Sequence, residues 1–469
     1  MPERAEAQIT RVAAPAFEGW IGVARRDVTP PVGIAQNCWG PAEIRHSTGV
    51  HRPLTLTALA LAAGADDPPL VLIALDGSWW RAPEDEWLVR SAAIAAAGGD
   101  EARVIVALSH THAGPVLARS AVDLPGGEHI AGYLDTLRDC AVDATRQAIA
   151  GAVPARLEWA TGRCAVAGAR DLVVDGRPLV GLDPAARADD TVLAGRVTAR
   201  DGSVVATLIN YACHPTTLAW QNTLTSPDYV GATRATVEAH TGDAPCLFLL
   251  GAAGELAPRE QYTGDVAVAD RHGRALGHAA LAALETLPAP GTALALHDAV
   301  ESGAPLAPWW PVAHELPRTV QATVAVVDLP LSQPASAREL DLRWSGIDER
   351  SRLERLRRAE ERRRVFGRDA ALRHRVWLWR LGDTLVVGQG GEAYSLLQQQ
   401  LRVRHPGHAV VVLNLANWPA SFYLPPASLY AREDGYTVWQ TPVAAGGLER
   451  TIDAAAAGLA RLLDEEGRG

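Results

Sequence analysis

Lysine is absent from this 469-residue chain, so all 44 basic residues are arginine, and methionine occurs only at position 1. The 54 acidic residues outnumber the basic ones and give a net charge of −10. No overall positive field exists to gather phosphate backbones, which argues against nucleic acid as a partner. Cysteine is scarce as well: Cys38, Cys140, Cys164, Cys213 and Cys246 show no C-x-x-C spacing, and their odd number fits reduced thiols rather than a disulfide framework. Apolar runs break at Asp, Gly or Arg before they approach the ~18 residues needed to span a bilayer. The first twenty residues lack both a basic n-region and an apolar h-region. These absences predict a soluble, cytoplasmic protein with no membrane partner.

What remains is an ordinary globular composition, 48% hydrophobic, ample for one large core or two coupled ones. Apolar runs such as Leu70–Leu75 and Val104–Leu108, with further strands read at Val204–Tyr211 and Cys246–Leu250, alternate with helical patterns, an α/β (mixed α+β) rhythm. Over 133–150, Leu134, Leu137, Ala141, Ala144 and Ala148 recur at helical spacing and predict a helix covering the strand that ends at Leu108. Residues 1–17 read as a loose lead-in, and 18–466 as a single domain without an internal repeat. From about 300 to 374 the texture changes to an Arg-dense helix near 348–364, read as a covering insertion with a solvated charged face. A last amphipathic helix is expected over 448–463.

Three segments carry residues suited to chemistry. LSHTHAGP, 108–115, ends an apolar strand; on a strand His110 and His112 would point to the same side, as paired structural histidines or as part of a metal site. INYACHPTT, 209–217, delivers His214 from a second strand and turns at Pro215. VVGQGGEAY, 386–394, ends a β-rich run in Gly390 and Gly391, with Glu392 opening what looks like a helix. Singly, each has a bland reading: a hydrogen-bonded histidine, or a carboxylate beside a helix dipole.

Taken in order, the segments resemble the signature of the neutral, non-lysosomal ceramidases, which reads T-H-T-H-S-G-P, I-N-W-F-x-x-H-P, G-D-V-S-P-N, G-E and an N-x-Y-x-x-Y segment. Here these are SHTHAGP, INYACHP, GELAPR, GGE and NWPASFYLPP, with RDVTPP near Asp27 and VHRPLTLTALAL from Val50 as weaker matches. The resemblance covers roughly residues 18 to 440. It implies a ceramidase-like α/β catalytic domain and one Zn²⁺ held by His110, His214, Glu392 and Tyr423. The gap from Asn417 to Tyr423 is one residue longer than the family's, and Phe422 at the unshifted position cannot ligate.

By the same resemblance His112, Arg170 and Tyr436 are catalytic candidates: His112 for proton transfer, Arg170 or Tyr436 for the oxyanion. The family's serine in G-D-V-S-P-N is replaced by Ala257, which leaves metal-activated water as the chemistry the remaining residues suit. Glu255, Ala257, Trp79 and Trp220 are expected to bind substrate or orient the loops around it, and Trp80 and Trp418 lie near the same motifs. No immunoglobulin-like C-terminal domain and no membrane-facing element are expected, so the expected substrate is a small soluble amide rather than ceramide in a bilayer. A metal-dependent esterase or lactonase, and a non-catalytic protein that keeps the metal, are the competing readings. A homo-oligomer stays open.

Overall fold

A computed structural model describes residues 10–36, 38–332, 335–366, 370–417 and 422–464. Eight strands form one sheet: Ala16–Asp27 (β1), Thr55–Ala62 (β2), Leu70–Leu75 (β3), Val104–Leu108 (β4), Val153–Arg163 (β5), Thr191–Ala199 (β6), Val204–Tyr211 (β7) and Cys246–Leu250 (β8). Their spatial order is β4-β3-β2-β1-β5-β6-β7-β8. The interior pairs are antiparallel, while β3 with β4 and β7 with β8 are parallel. Parallel neighbours need a crossover, supplied by helices α1 (Pro83–Ala96) and α3 (Tyr229–Glu238); α2 (Ile130–Ala150) and α4 (Val266–Leu284) follow β4 and β8.

The element order β-β-β-α-β-α therefore occurs twice, and the copies meet where β1 pairs antiparallel with β5. This repeat of topology was invisible in the sequence, which shows no internal repeat. Backbone arrangement tolerates hydrophobic substitution as long as the pattern survives, so two halves can share a path without sharing residues.

A second sheet has Val320–Pro330 (β9), Ala371–Leu381 (β10), Thr384–Gln389 (β11) and Ala409–Leu413 (β12) in the order β9-β10-β11-β12. Strand alternation divides the core into layers. Leu56, Ala58 and Ala60 of β2 pack with Val89, Leu137 and Leu276 of the helices, whereas Leu59 and Leu61 face the second sheet and meet Trp377, Trp379 and Val411. On its other side the second sheet presents Val376, Leu378 and Val387 to helices Leu396–Arg404 and Gly447–Asp464. The result is four layers, helix, sheet, sheet, helix. Among the described residues no helix is long and apolar enough to cross a membrane, and all five cysteines are free thiols.

Two sequence expectations change here. Part of the 300–374 stretch is regular sheet, since β9 pairs with β10 along its whole length. Between those strands lie two helices, Ala337–Arg343 and Glu349–Phe366 (hereafter the arginine helix). Glu392 does not open a helix: Glu392–Ala393 is a short strand pairing parallel with Tyr423–Leu424. Strand pairing, not a helix dipole, fixes this carboxylate.

Candidate metal centre

β3, β4, β7, β8 and β11 deliver their carboxyl ends to one region, the usual place for chemistry in α/β folds. β4 is an edge of the large sheet, and its outer side is closed by the segment 415–417. Asn417 accepts from Val106 N at 2.7 Å and donates to Val104 O at 2.7 Å, in a left-handed conformation at φ 53°. Two residues past the strand, His110 also has a positive φ of 68°, a rare conformation for a non-glycine residue that clusters at functional sites. His110 and His112 therefore lie off the strand. Their rings still meet, at 4.6 Å between centroids, because the His112 Nδ1–H donates to the His110 carbonyl at 2.9 Å.

Three imidazoles share one orientation rule. His110 Nδ1 reaches Ser78 O at 2.7 Å, and His214 Nδ1 reaches Leu256 O at 3.0 Å. A carbonyl oxygen only accepts, so in each neutral ring Nδ1 carries the proton and Nε2 offers a lone pair, the arrangement metal-ligating histidines adopt. Those lone pairs converge on one oxygen: Glu392 Oε2 lies 2.9 Å from His214 Nε2 and 3.4 Å from His110 Nε2. His110, His214 and Glu392 are all buried, with ligand atoms within 4.8 Å of one another.

Burial pulls His214 down to about 4, with Arg170 adding to the effect. A carboxylate and imidazoles in these tautomers all present electron pairs, so a cation among them would be stabilised, in addition to the charge that Arg170 brings within 3.1 Å of His214 Nε2. His110 Nε2, buried and without a hydrogen-bond partner, is the polar atom such a cation would satisfy. Two nitrogen donors and a carboxylate form a borderline-hard set that suits Zn²⁺.

Tyr423 stands beside Glu392 as its register partner. Burial first, then the Glu392 carboxylate, push its phenol well above the ordinary value. Arg170, just past strand Ala167–Ala169, donates through Nη2 to Tyr423 Oη at 3.1 Å and to Gly254 O at 2.9 Å, and the same atom lies 3.1 Å from His214 Nε2. The guanidinium thus braces two of the residues expected to ligate. Gly254 lets the loop after β8 approach the segment that carries Glu392, because a Cβ there would meet Tyr394 Cδ1 at 2.7 Å and Glu392 O at 2.8 Å.

A cavity of about 140 Å³ opens over the cluster. His110, His112, Glu392 and Tyr423 line it together with Trp79, Tyr436 and Phe422. Trp79 lies 5.4 Å from His112 between ring centroids, and Tyr436 5.6 Å from Tyr423. Trp220 is further out, stacked on Tyr262 at 6.0 Å and 36% exposed. Ala257 is buried in strand Leu256–Pro258, opposite Gly168, away from the cavity lining. The Glu255 carboxylate faces the Ser395 backbone N–H and hydroxyl, tying the loop after β8 to the segment after Glu392. Trp418 falls outside the described residues.

Sequence reasoning missed two parts of the lining. Trp39 packs on His112 at 5.3 Å between ring centroids, and no local motif marks it. The arginine helix turns Arg357, Arg358, Arg362, Val365 and Phe366 toward the cavity, which corrects its reading as a solvated face. The spacing of 358, 362 and 366, four apart on one helical face, was the available signal.

A Ser-His-Asp arrangement elsewhere proves structural. His51 lies 2.9 Å from Ser226 Oγ and 3.3 Å from Asp270, but Ser226 is fully buried and Arg52 binds Asp270 through both carboxylate oxygens.

Fold and site together define a four-layer protein with a buried two-histidine, one-carboxylate cluster of metal-binding type. The neutral ceramidase from Pseudomonas aeruginosa has this fold, with a TM-score of 0.68 over 96% of this chain and 75% of its own at 17% identity. A ceramidase solved in complex with C2 matches with a TM-score of 0.64, covering 96% and 76% at 15% identity. The resemblance carried by the motifs thus extends to the whole fold. Neither a protein-family model nor a curated protein matches the chain.

Proposed function

We propose that this protein is a metal-dependent hydrolase that cleaves the amide bond of a small N-acyl compound. The observation that carries the reading is the pair of Nε2 lone pairs, fixed by their carbonyl partners and aimed at one carboxylate oxygen at 2.9 and 3.4 Å. His110, His214, Glu392 and Tyr423 would hold the ion, and the donor set favours zinc. When bound, such an ion lowers the pKa of a coordinated water toward about 7 and polarises the scissile carbonyl.

The remaining steps fall to the chain itself. Burial first, then His110 and His214, keep His112 well below its ordinary value, so its ring is neutral at pH 7 and its Nε2 can accept a proton from the attacking water. Having taken that proton, His112 can return it to the departing amine. Tyr436 borders the cavity, and its hydroxyl is the donor proposed for the oxygen on which charge develops. Arg170 is a positioning residue, since its guanidinium holds Tyr423 and borders His214. Trp79 and Phe422 supply apolar wall for an acyl chain.

The test combines elemental analysis of purified protein with hydrolysis of a panel of N-acyl compounds and matched esters, before and after chelation. The reading expects one equivalent of zinc, amide turnover lost on chelation and turnover restored on adding zinc back. Full activity in metal-free protein would refute it.

A further inference from the structure

We propose that Arg358 of the arginine helix is a positioning residue for the reaction. Its guanidinium donates to the Tyr436 hydroxyl and so leaves that hydroxyl's single proton for the cavity, where charge develops on the carbonyl oxygen. The inference rests on the hydrolase reading, in which Tyr436 is the oxyanion donor, and names what makes it one.

Tyr436 opens the short helix Tyr436–Trp439 and borders the cavity. Its place is set from two sides. The next residue, Thr437, pairs its hydroxyl with Tyr394 Oη at 2.7 Å, and Tyr394 lies two residues past Glu392, so the helix is tied to the segment that carries the carboxylate. On the other side the Tyr436 ring lies 5.6 Å from that of Tyr423. Placing the ring does not by itself fix where the phenolic proton points, because a hydroxyl rotates to suit its partners.

Arg358 removes that freedom. A guanidinium has N–H donors and no acceptor, so in the 3.4 Å contact between Arg358 Nη1 and Tyr436 Oη the phenol oxygen can only accept. Among the described residues no acceptor takes the Tyr436 proton, and the hydroxyl belongs to a residue of the cavity wall, so the proton is left for a ligand there. Hydrogen bonds in series also polarise one another, by about 10–30% per bond, which makes the phenol a stronger donor.

The direction of this contact is fixed by two others. Arg358 Nε donates to Glu354 Oε1 at 2.9 Å, one turn earlier on the arginine helix, and Nη2 donates to Cys38 O at 3.3 Å, in the loop between β1 and β2. Because the guanidinium is planar and rigid, anchoring two of its nitrogens aims the third. Arg358 thus acts through Tyr436, from a helix that contributes no expected metal ligand.

A double-mutant cycle crosses Arg358→Met with Tyr436→Phe in the metal-loaded protein, with hexanoyl-p-nitroanilide as the amide probe and p-nitrophenyl hexanoate as the matched ester. Tyr436→Phe should lower kcat about a hundred-fold, the size of one oxyanion donor. Arg358→Met should lower kcat about ten-fold and leave KM within about two-fold, because the bond it supports matters only where charge develops. Arg358→Lys, which keeps a cationic donor, should recover part of the loss. In Tyr436→Phe protein the further change Arg358→Met should lower kcat by less than about two-fold, since the hydroxyl it acts through is gone. Equal losses in the two backgrounds, a change confined to KM, or full activity in Tyr436→Phe each overturns the inference and leaves metal-dependent hydrolysis standing. If only the ester is cleaved, amide hydrolysis fails, and the same cycle on the ester decides the inference. If neither probe is cleaved, the proposed reaction fails, and calorimetric titration with hexylphosphonate, whose head presents anionic oxygens to the same donor, decides it. Arg358→Met should then weaken binding about ten-fold with Tyr436 present and less than about two-fold in Tyr436→Phe, whereas equal weakening overturns the inference.

Discussion

Replacing Asn417 by glycine tests whether the edge of β4 is held as the structure indicates. The side chain makes two hydrogen bonds of 2.7 Å to backbone groups of Val104 and Val106, both of which are buried. Leaving a buried backbone donor or acceptor without its partner costs about 1–3 kcal/mol each, so the pair predicts a loss of about 3 kcal/mol. The bond from Asn417 N to Val106 O, at 3.0 Å, survives in the variant because it belongs to the backbone. Glycine also accepts the φ of 53° without strain, so the measured loss belongs to the side-chain bonds. Asn417→Ala should cost about 1 kcal/mol more, for the left-handed conformation. Urea unfolding followed by tryptophan fluorescence measures both through the shift in midpoint at constant slope. A loss below about 1 kcal/mol for Asn417→Gly, or equal losses for the two variants, would refute the reasoning.

Other outcomes follow from the geometry of the site and the loops around it. His214→Ala should abolish stoichiometric zinc and lower hydrolysis by at least about a hundred-fold, measured by elemental analysis and initial rates. Tyr423→Phe keeps the ring but removes the hydroxyl that accepts from Arg170, and zinc affinity by competitive chelation should fall about ten-fold or more. Glu255 is pushed up to about 7, first by burial. Because the folded state then binds a proton that the unfolded state releases near pH 4.5, stability should decline as pH rises from about 4.5 to 7 and level off above. Glu255→Gln should flatten that slope, a difference visible in denaturation midpoints taken at pH 5 and pH 8. Gly254→Ala should destabilise by about 1–3 kcal/mol through overpacking against Tyr394 and Glu392, and lower zinc affinity with it.

The sequence alone determined the local elements that bear strong periodicity. The runs at Leu70–Leu75, Val104–Leu108, Val204–Tyr211 and Cys246–Leu250 are strands with those bounds, and the helices expected at 133–150 and 448–463 form as Ile130–Ala150 and Gly447–Asp464. Hydrophobic period is a property of consecutive residues, so it survives without tertiary information. His110, His214 and Glu392, which the fold brings together, were legible only through the ordered resemblance to the ceramidases, because each motif alone also fits a hydrogen-bonded histidine or a carboxylate beside a helix. Tertiary structure decided everything that depends on distant partners. The left-handed turn at His110, the strand that holds Glu392 against Tyr423, and the arginine face over the cavity arise from contacts between segments far apart in the chain. A charged helix looks the same in sequence whether its arginines face water or a cavity, because only the surrounding packing tells the two environments apart.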